Sequence, residues 1–118
     1  MSTRDGEARL ELLQGTLDLL ILQTLIFGPQ HGQGIARAIQ ERSEKELLVE
    51  HGALYPALQR LEERGWLSAK WGTSSNNRKA RFYTLTAAGH KQLVKATAKW
   101  RRLEKAISRI LGTAPARS

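Results

Sequence analysis

Three observations predict that this chain of 118 residues folds as a mainly α domain with a small β-hairpin wing, a winged helix-turn-helix continued by a long C-terminal helix. The stretch from His51 to Thr86, HGALYPALQRLEERGWLSAKWGTSSNNRKARFYTLT, passes from an amphipathic helix through a glycine stop into two strand-like runs around a polar, cationic loop. Two shorter helical patterns precede it. An apolar seam follows it: Leu93, Ala96, Trp100, Leu103, Ile107 and Ile110, at spacings of 3, 4, 3, 4 and 3.

Taken in order, Leu10, Leu13, Leu17, Leu20, Ile21 and Leu25 keep helical spacing and predict a first helix over about residues 10–27, broken near Gly15 where Thr16 can cap a fresh start. Asp18 then lies in a first turn, where a carboxylate complements the helix dipole. Phe27-Gly28-Pro29 ends the helix, because the residue before proline avoids the α region. Ile35, Ala36 and Ile39 form the narrow stripe of a short second helix over 32–42. Leu47-Leu48-Val49 is β-prone and suited to add a small strand to the wing sheet.

A third helix is expected over about 53–64, with Leu54, Leu58 and Leu61 on one side and Tyr55, Pro56, Gln59, Arg60 and Glu63 on the other. Pro56 falls in its first turn, where a missing N–H costs little. Gly65 stands where a helix C-terminus wants a left-handed residue. Strands follow at 67–71 and 81–85, the wing loop runs from Gly72 to Lys79, and Trp66 and Trp71 are expected in the core of the wing sheet. Thr86 caps the last helix, over 87–111, although Gly89 weakens a first turn in which Glu would have completed a capping box. The expected organisation is a winged helix-turn-helix at 10–86, a dimerisation helix at 87–111, and flexible ends at 1–9 and 112–118.

Charge narrows the function. The net charge is +8, and its distribution is lopsided: residues 1–66 carry 7 Lys/Arg against 10 Asp/Glu, residues 67–118 carry 12 against 1. A cationic wing and last helix fit a polyanion, since Lys and Arg release condensed counterions from phosphates; a merely solvated basic face is the bland alternative. Cys is absent, which excludes disulfides, thiolate metal sites and a cysteine nucleophile, and fits a cytoplasmic protein. No secretory signal pattern is read at the start, and the longest apolar run, 17–27, is interrupted by Asp18, Gln23 and Thr24, so no membrane segment is expected. His31, His51 and His90 are 20 and 39 residues apart, without ligand spacing. Neither a catalytic triad nor a phosphate-cradling glycine loop is suggested, so no enzyme, metal or cofactor is expected.

In a helix-turn-helix the second helix of the pair enters the major groove. That nominates Ala53, Tyr55, Pro56, Gln59 and Arg60: Gln59 for adenine, Arg60 for guanine or phosphate, Ala53 for a thymine methyl. Tyr55 either anchors a phosphate or packs in the core, and Pro56 has a purely structural reading as well. Lys70, Arg78, Lys79 and Arg81 on the wing, with Asn76 and Asn77 in its turn, should meet phosphates or the minor groove, and Arg37 is a further phosphate contact. His51 could touch phosphate, while His31 suits a capping or packing role.

The last helix, about 37 Å long at 1.5 Å per residue, is too long to bury against so small a domain. Leu13, Leu17, Leu93, Ala96, Trp100, Leu103, Ile107 and Ile110 are therefore expected at a homodimer seam, with packing of this helix on the first one as the alternative. Trp100 sits mid-seam, where two copies would either wall a flat cavity for a planar aromatic effector or simply pack.

Four motifs in fixed order resemble the PadR family of bacterial transcriptional regulators: GTLDLLILQTL, GPQHGQGI, GALYPALQRLEERGWL and RKARFYTLTAAG. The resemblance runs from about Leu13 to Leu111, and the single helix after the wing is similar to the compact branch of the family. Gln33 stands where the family usually has Tyr, and Ala53 where it usually has Ser or Thr. The resemblance implies a dimeric repressor on a palindromic operator, commonly answering to a small aromatic or drug-like effector. The rival functions are a winged-helix protein–protein adaptor, which predicts a weakly charged wing, and a sensor that is mainly a small-molecule binder.

Overall fold

The structure, a computed structural model, describes residues 14–112. Leu10, Leu13 and the ends at 1–9 and 113–118 lie outside the described residues. Helix α1 (Gln14–Thr24) runs into a 3-10 turn (Leu25–Phe27), strand β1 (Gln30–His31), α2 (Gly32–Arg42), α3 (His51–Glu63), strands β2 (Leu67–Thr73) and β3 (Lys79–Leu85), and α4 (Ala87–Leu111).

Among the described residues the α1 helix begins at Gln14 and includes Gly15 and Thr16; the stretch before Gln14, on which the expected break near Gly15 depends, lies outside them. Leu17, Ile21, Leu22 and Leu25 are buried against Ile35 and Ile39 of α2 and Leu54, Ala57, Leu58 and Leu61 of α3. This apolar cluster is the hydrophobic driving force of the fold, since each fully buried Leu or Ile contributes roughly 1.5–3 kcal/mol.

The α3 helix starts two residues earlier than its hydrophobic pattern suggests, after Glu50. Pro56 is consequently its sixth residue rather than part of the first turn, and the helix tolerates a missing i→i−4 bond there. At the other end Gly65 takes φ 78°, Trp66 N–H donates to the Leu61 carbonyl (3.0 Å) and Gly65 N–H to that of Glu62 (2.9 Å). These two bonds satisfy carbonyls that a helix end leaves open.

The sheet is antiparallel in the order β1-β3-β2, with His31 opposite Phe82 and Leu67 opposite Leu85. Its third strand comes from Gln30 and His31, not from Leu47–Val49; Leu47 forms only an isolated bridge. At the wing tip, Ser74 and Arg78 close the hairpin (N–H to carbonyl, 2.8 Å), and Asn77 at φ 64° makes the left-handed turn that the sequence assigned to asparagine.

Gly89 corrects a sequence expectation. A Cβ there would collide with the Trp66 carbonyl and approach Leu85 Cδ1 to 2.8 Å, so the missing side chain is what lets α4 seat against the corner between α3 and β2. Thr86 binds the same corner: its N–H reaches the Trp66 carbonyl (3.1 Å), its hydroxyl donates to the Gly65 carbonyl (2.7 Å), and the hydroxyl oxygen accepts from Gly89 N–H (3.0 Å).

Candidate nucleic-acid interface

The burial of Leu54, Ala57, Leu58 and Leu61 turns the opposite side of α3 to solvent, where His51, Gly52, Ala53, Tyr55, Pro56 and Gln59 are all exposed. Gln59 Nε2 donates to Glu63 Oε2 at 3.3 Å, a solvent-exposed contact that leaves the amide free to exchange partners. Ala53, the third residue of the helix, is not its cap; Glu50 holds that position without a side-chain bond. Tyr55 combines its two sequence readings: its ring lies so close over Gly32 that a Cβ on that glycine would come within 2.7 Å of it, and His51 meets the ring edge-on at 5.7 Å, yet 43% of the residue is exposed.

Arg60 departs from the expectation for it. Its Nη2 lies 2.6 Å from Asp18 Oδ1, with side-chain exposures of only 24% and 14%, and its Nε is buried without a partner. The guanidinium therefore turns back to α1 instead of outward to a groove. Asp18 is not a dipole partner in a first turn but the counter-ion of Arg60. A lone carboxylate inside the apolar run LDLLILQT was the sequence signal for such a partner.

On the wing, Asn77, Arg78 and Lys79 are exposed at and beside the tip. Arg81 is engaged: Nη1 and Nη2 donate to Glu62 Oε1 and Oε2 at 3.1 and 3.0 Å, a two-pronged bond between the wing and α3. Lys70, exposed, pairs in register with Phe82 and so lies on the other face of the sheet from Arg81. That face carries the stack of Phe82 on His31 (5.4 Å, 18°), which gives His31 the packing role. Arg37 is exposed on α2. Between α3 and the wing lies an open cleft lined by Tyr55, Gln59, Glu62, Glu63, Arg81 and Tyr83. Burial pushes the Tyr83 hydroxyl above its ordinary pKa, against the opposing pull of the nearby Arg81 cation.

Trp66 packs against the core with Arg64 over its ring at 5.4 Å, whereas Trp71 is 65% exposed and not in the core of the wing sheet. The alternation Leu67, Ala69, Trp71 places all three on one face; what the sequence does not reveal is that the hairpin overhangs α3, so this face runs out of core before Trp71.

The last helix divides in two. Leu93 (3% exposed) and Leu17 (2%) are buried in the chain's own core, so these two do not serve a seam between chains as expected. Beyond them, Trp100, Leu103, Ile107 and Ile110 stand exposed on α4, and Ala96 is half-buried. Packing on the first helix thus holds for the start of α4, which contacts α1 and β3. No helix among the described residues is long and apolar enough to cross a membrane, and no His/Cys/Asp/Glu cluster suited to a metal occurs among them.

Residues 21–95 match the transcriptional regulator PadR-like family. Among solved structures, a transcriptional regulator from Clostridium thermocellum is similar at 25% identity with a TM-score of 0.77, over 84% of this chain and 96% of that one. A PadR family transcription regulator from Clostridium difficile is similar at 30% identity with a TM-score of 0.70, over 81% and 98% of the two chains. An uncharacterised protein from Lysinibacillus sphaericus is 26% identical over 99 residues, 84% of this chain and 91% of its own length.

Proposed function

The chain belongs to the PadR-like family and is a DNA-binding transcriptional regulator, and from this premise we propose that it acts as a homodimeric repressor on a palindromic promoter site. The observation that carries the reading is the pairing of an outward α3 surface, with Ala53, Tyr55, Pro56 and Gln59 at its centre, and a wing whose residues 67–86 include no carboxylate. Gln59 pairs with adenine, Ala53 and Pro56 offer apolar contact to thymine methyls, and the Tyr55 hydroxyl reaches a phosphate. Asn77, Arg78 and Lys79, with Arg37 and Lys70, hold backbone phosphates and set the register of α3 in the groove. Arg60 is left out of the base-reading set because Asp18 holds it.

The exposed row Trp100, Leu103, Ile107 and Ile110 supports dimerisation, since a contiguous apolar stripe on one helix is the face a partner helix covers. Two copies then present two α3 helices to half-sites about one helical turn, roughly 34 Å, apart. Occupying the promoter blocks transcription. A second reading adds release by a planar aromatic effector, favoured by Trp100, which remains 38% exposed where the stripe leaves the core.

Fluorescence anisotropy on a duplex from the protein's own upstream region and on a scrambled duplex, at low and physiological salt, tests the reading. Preference for the upstream duplex that survives physiological salt supports it. Equal binding that collapses with salt leaves only a basic field and overturns it.

A further inference from the structure

We propose that Trp71 is a DNA contact, its indole packed along the sugar–phosphate strand beside the groove that α3 enters. The proposal rests on the DNA-binding reading above and adds to it a residue outside the expected set.

Along β2, Leu67, Ala69 and Trp71 share one face and are opposite Leu85, Tyr83 and Arg81 of β3. Tyr83 is buried and Arg81 is bonded to Glu62, so this face is the one turned toward α3. It is core at Leu67 and open at Trp71, which is 65% exposed. Its indole is apolar surface beside the binding helix, and covering it contributes up to roughly 1.5–3 kcal/mol to a partner that fits.

Charge identifies the partner. Arg81 lies opposite Trp71 and Lys79 farther along the same face, with Arg78 beside the tip and Lys70 on the reverse face; the hairpin itself has no Asp or Glu, and Glu62 of α3 is the carboxylate that meets it, at Arg81. Cations take phosphates, the flat ring packs on deoxyribose, and the indole Nε1–H donates to a phosphate oxygen. A side chain anchored within the strand, away from the Ser74–Arg78 turn, lies along the backbone rather than wedging between base pairs.

The test titrates the upstream and scrambled duplexes with wild type, Trp71→Ala, Trp71→Phe and Lys79→Ala over a range of salt, and follows intrinsic tryptophan emission with unlabelled DNA. Trp71→Ala is expected to bind both duplexes roughly tenfold more weakly, as loss of a significant interface aromatic does, with an unchanged salt slope. Lys79→Ala flattens that slope by about one. Trp71→Phe restores most of the affinity but lacks the DNA-induced change in emission seen with wild type. If Trp71→Ala binds like wild type and Trp71→Phe keeps the emission change, this proposal fails while the DNA reading stands. A loss confined to the upstream duplex places the indole on bases and overturns the backbone contact; a wild type that binds neither duplex overturns both readings, and one that binds both equally overturns the promoter reading alone.

Discussion

Arg60 and Asp18, 42 positions apart in the chain, meet at 2.6 Å and tie α3 to α1 through a pair largely withdrawn from solvent. Removing one partner leaves a poorly solvated charge, so Asp18→Ala is expected to destabilise the fold by about 2–4 kcal/mol. Adding Arg60→Ala to Asp18→Ala should return part of that loss. Urea denaturation of the two single variants and the double variant measures the coupling, and simple additivity refutes it.

Glu62 occupies both terminal nitrogens of Arg81. Glu62→Gln removes the competing anion beside the wing, and the expected outcome is tighter binding to specific and scrambled DNA alike. The salt dependence steepens by about one unit of slope as Arg81 becomes available to a phosphate. Anisotropy titrations at several salt concentrations check this; an unchanged slope means that Arg81 stays with the protein.

Gly89→Ala sets a methyl group against the Trp66 carbonyl. Although alanine is the better helix former, the clash is expected to dominate and to cost about 1–3 kcal/mol. A lowered midpoint in thermal or chemical denaturation is the readout. A stabilised variant would show that helix propensity, not the close approach, governs this site.

Tyr83 couples stability to alkaline pH. Its hydroxyl is held above the ordinary value of 10.0, first by burial, so the folded state keeps the proton more tightly than the unfolded chain. This contribution is complete below the unfolded pKa and is lost as pH rises through the folded one. Denaturation midpoints of wild type and Tyr83→Phe, followed from about pH 9 to about pH 11 across the ordinary tyrosine pKa, should fall more steeply for wild type; parallel curves would remove Tyr83 as the cause.

Leu103→Glu and Ile107→Glu, each at an exposed position of the α4 stripe, are expected to give monomers that keep their helical signal and lose cooperative operator binding. Sedimentation velocity separates the species. A wild type that is itself monomeric at micromolar concentration defeats the dimer.

The elements were legible where their causes are local. The second helix occupies its expected 32–42 span, Gly65 ends α3 because only the left-handed conformation closes that helix, and Asn77 turns the hairpin for the same reason. The candidate site was legible in part: the apolar side of α3 fixes which residues face outward. The contacts that redirect individual side chains were not legible, because Arg60 with Asp18 and Arg81 with Glu62 depend on how separate elements approach. Trp71 obeys the strand alternation and is exposed all the same, since alternation gives the face of a residue and not how far the core extends beneath it.

The Thr86–Gly89 joint fixes the base of a 25-residue helix to the carbonyls of Gly65 and Trp66, which follow the Arg64 cap of α3. It leaves no slack between them. The start of α4 and the end of α3 therefore meet as a braced corner, in which one threonine side chain and one missing Cβ set the angle between the two helices.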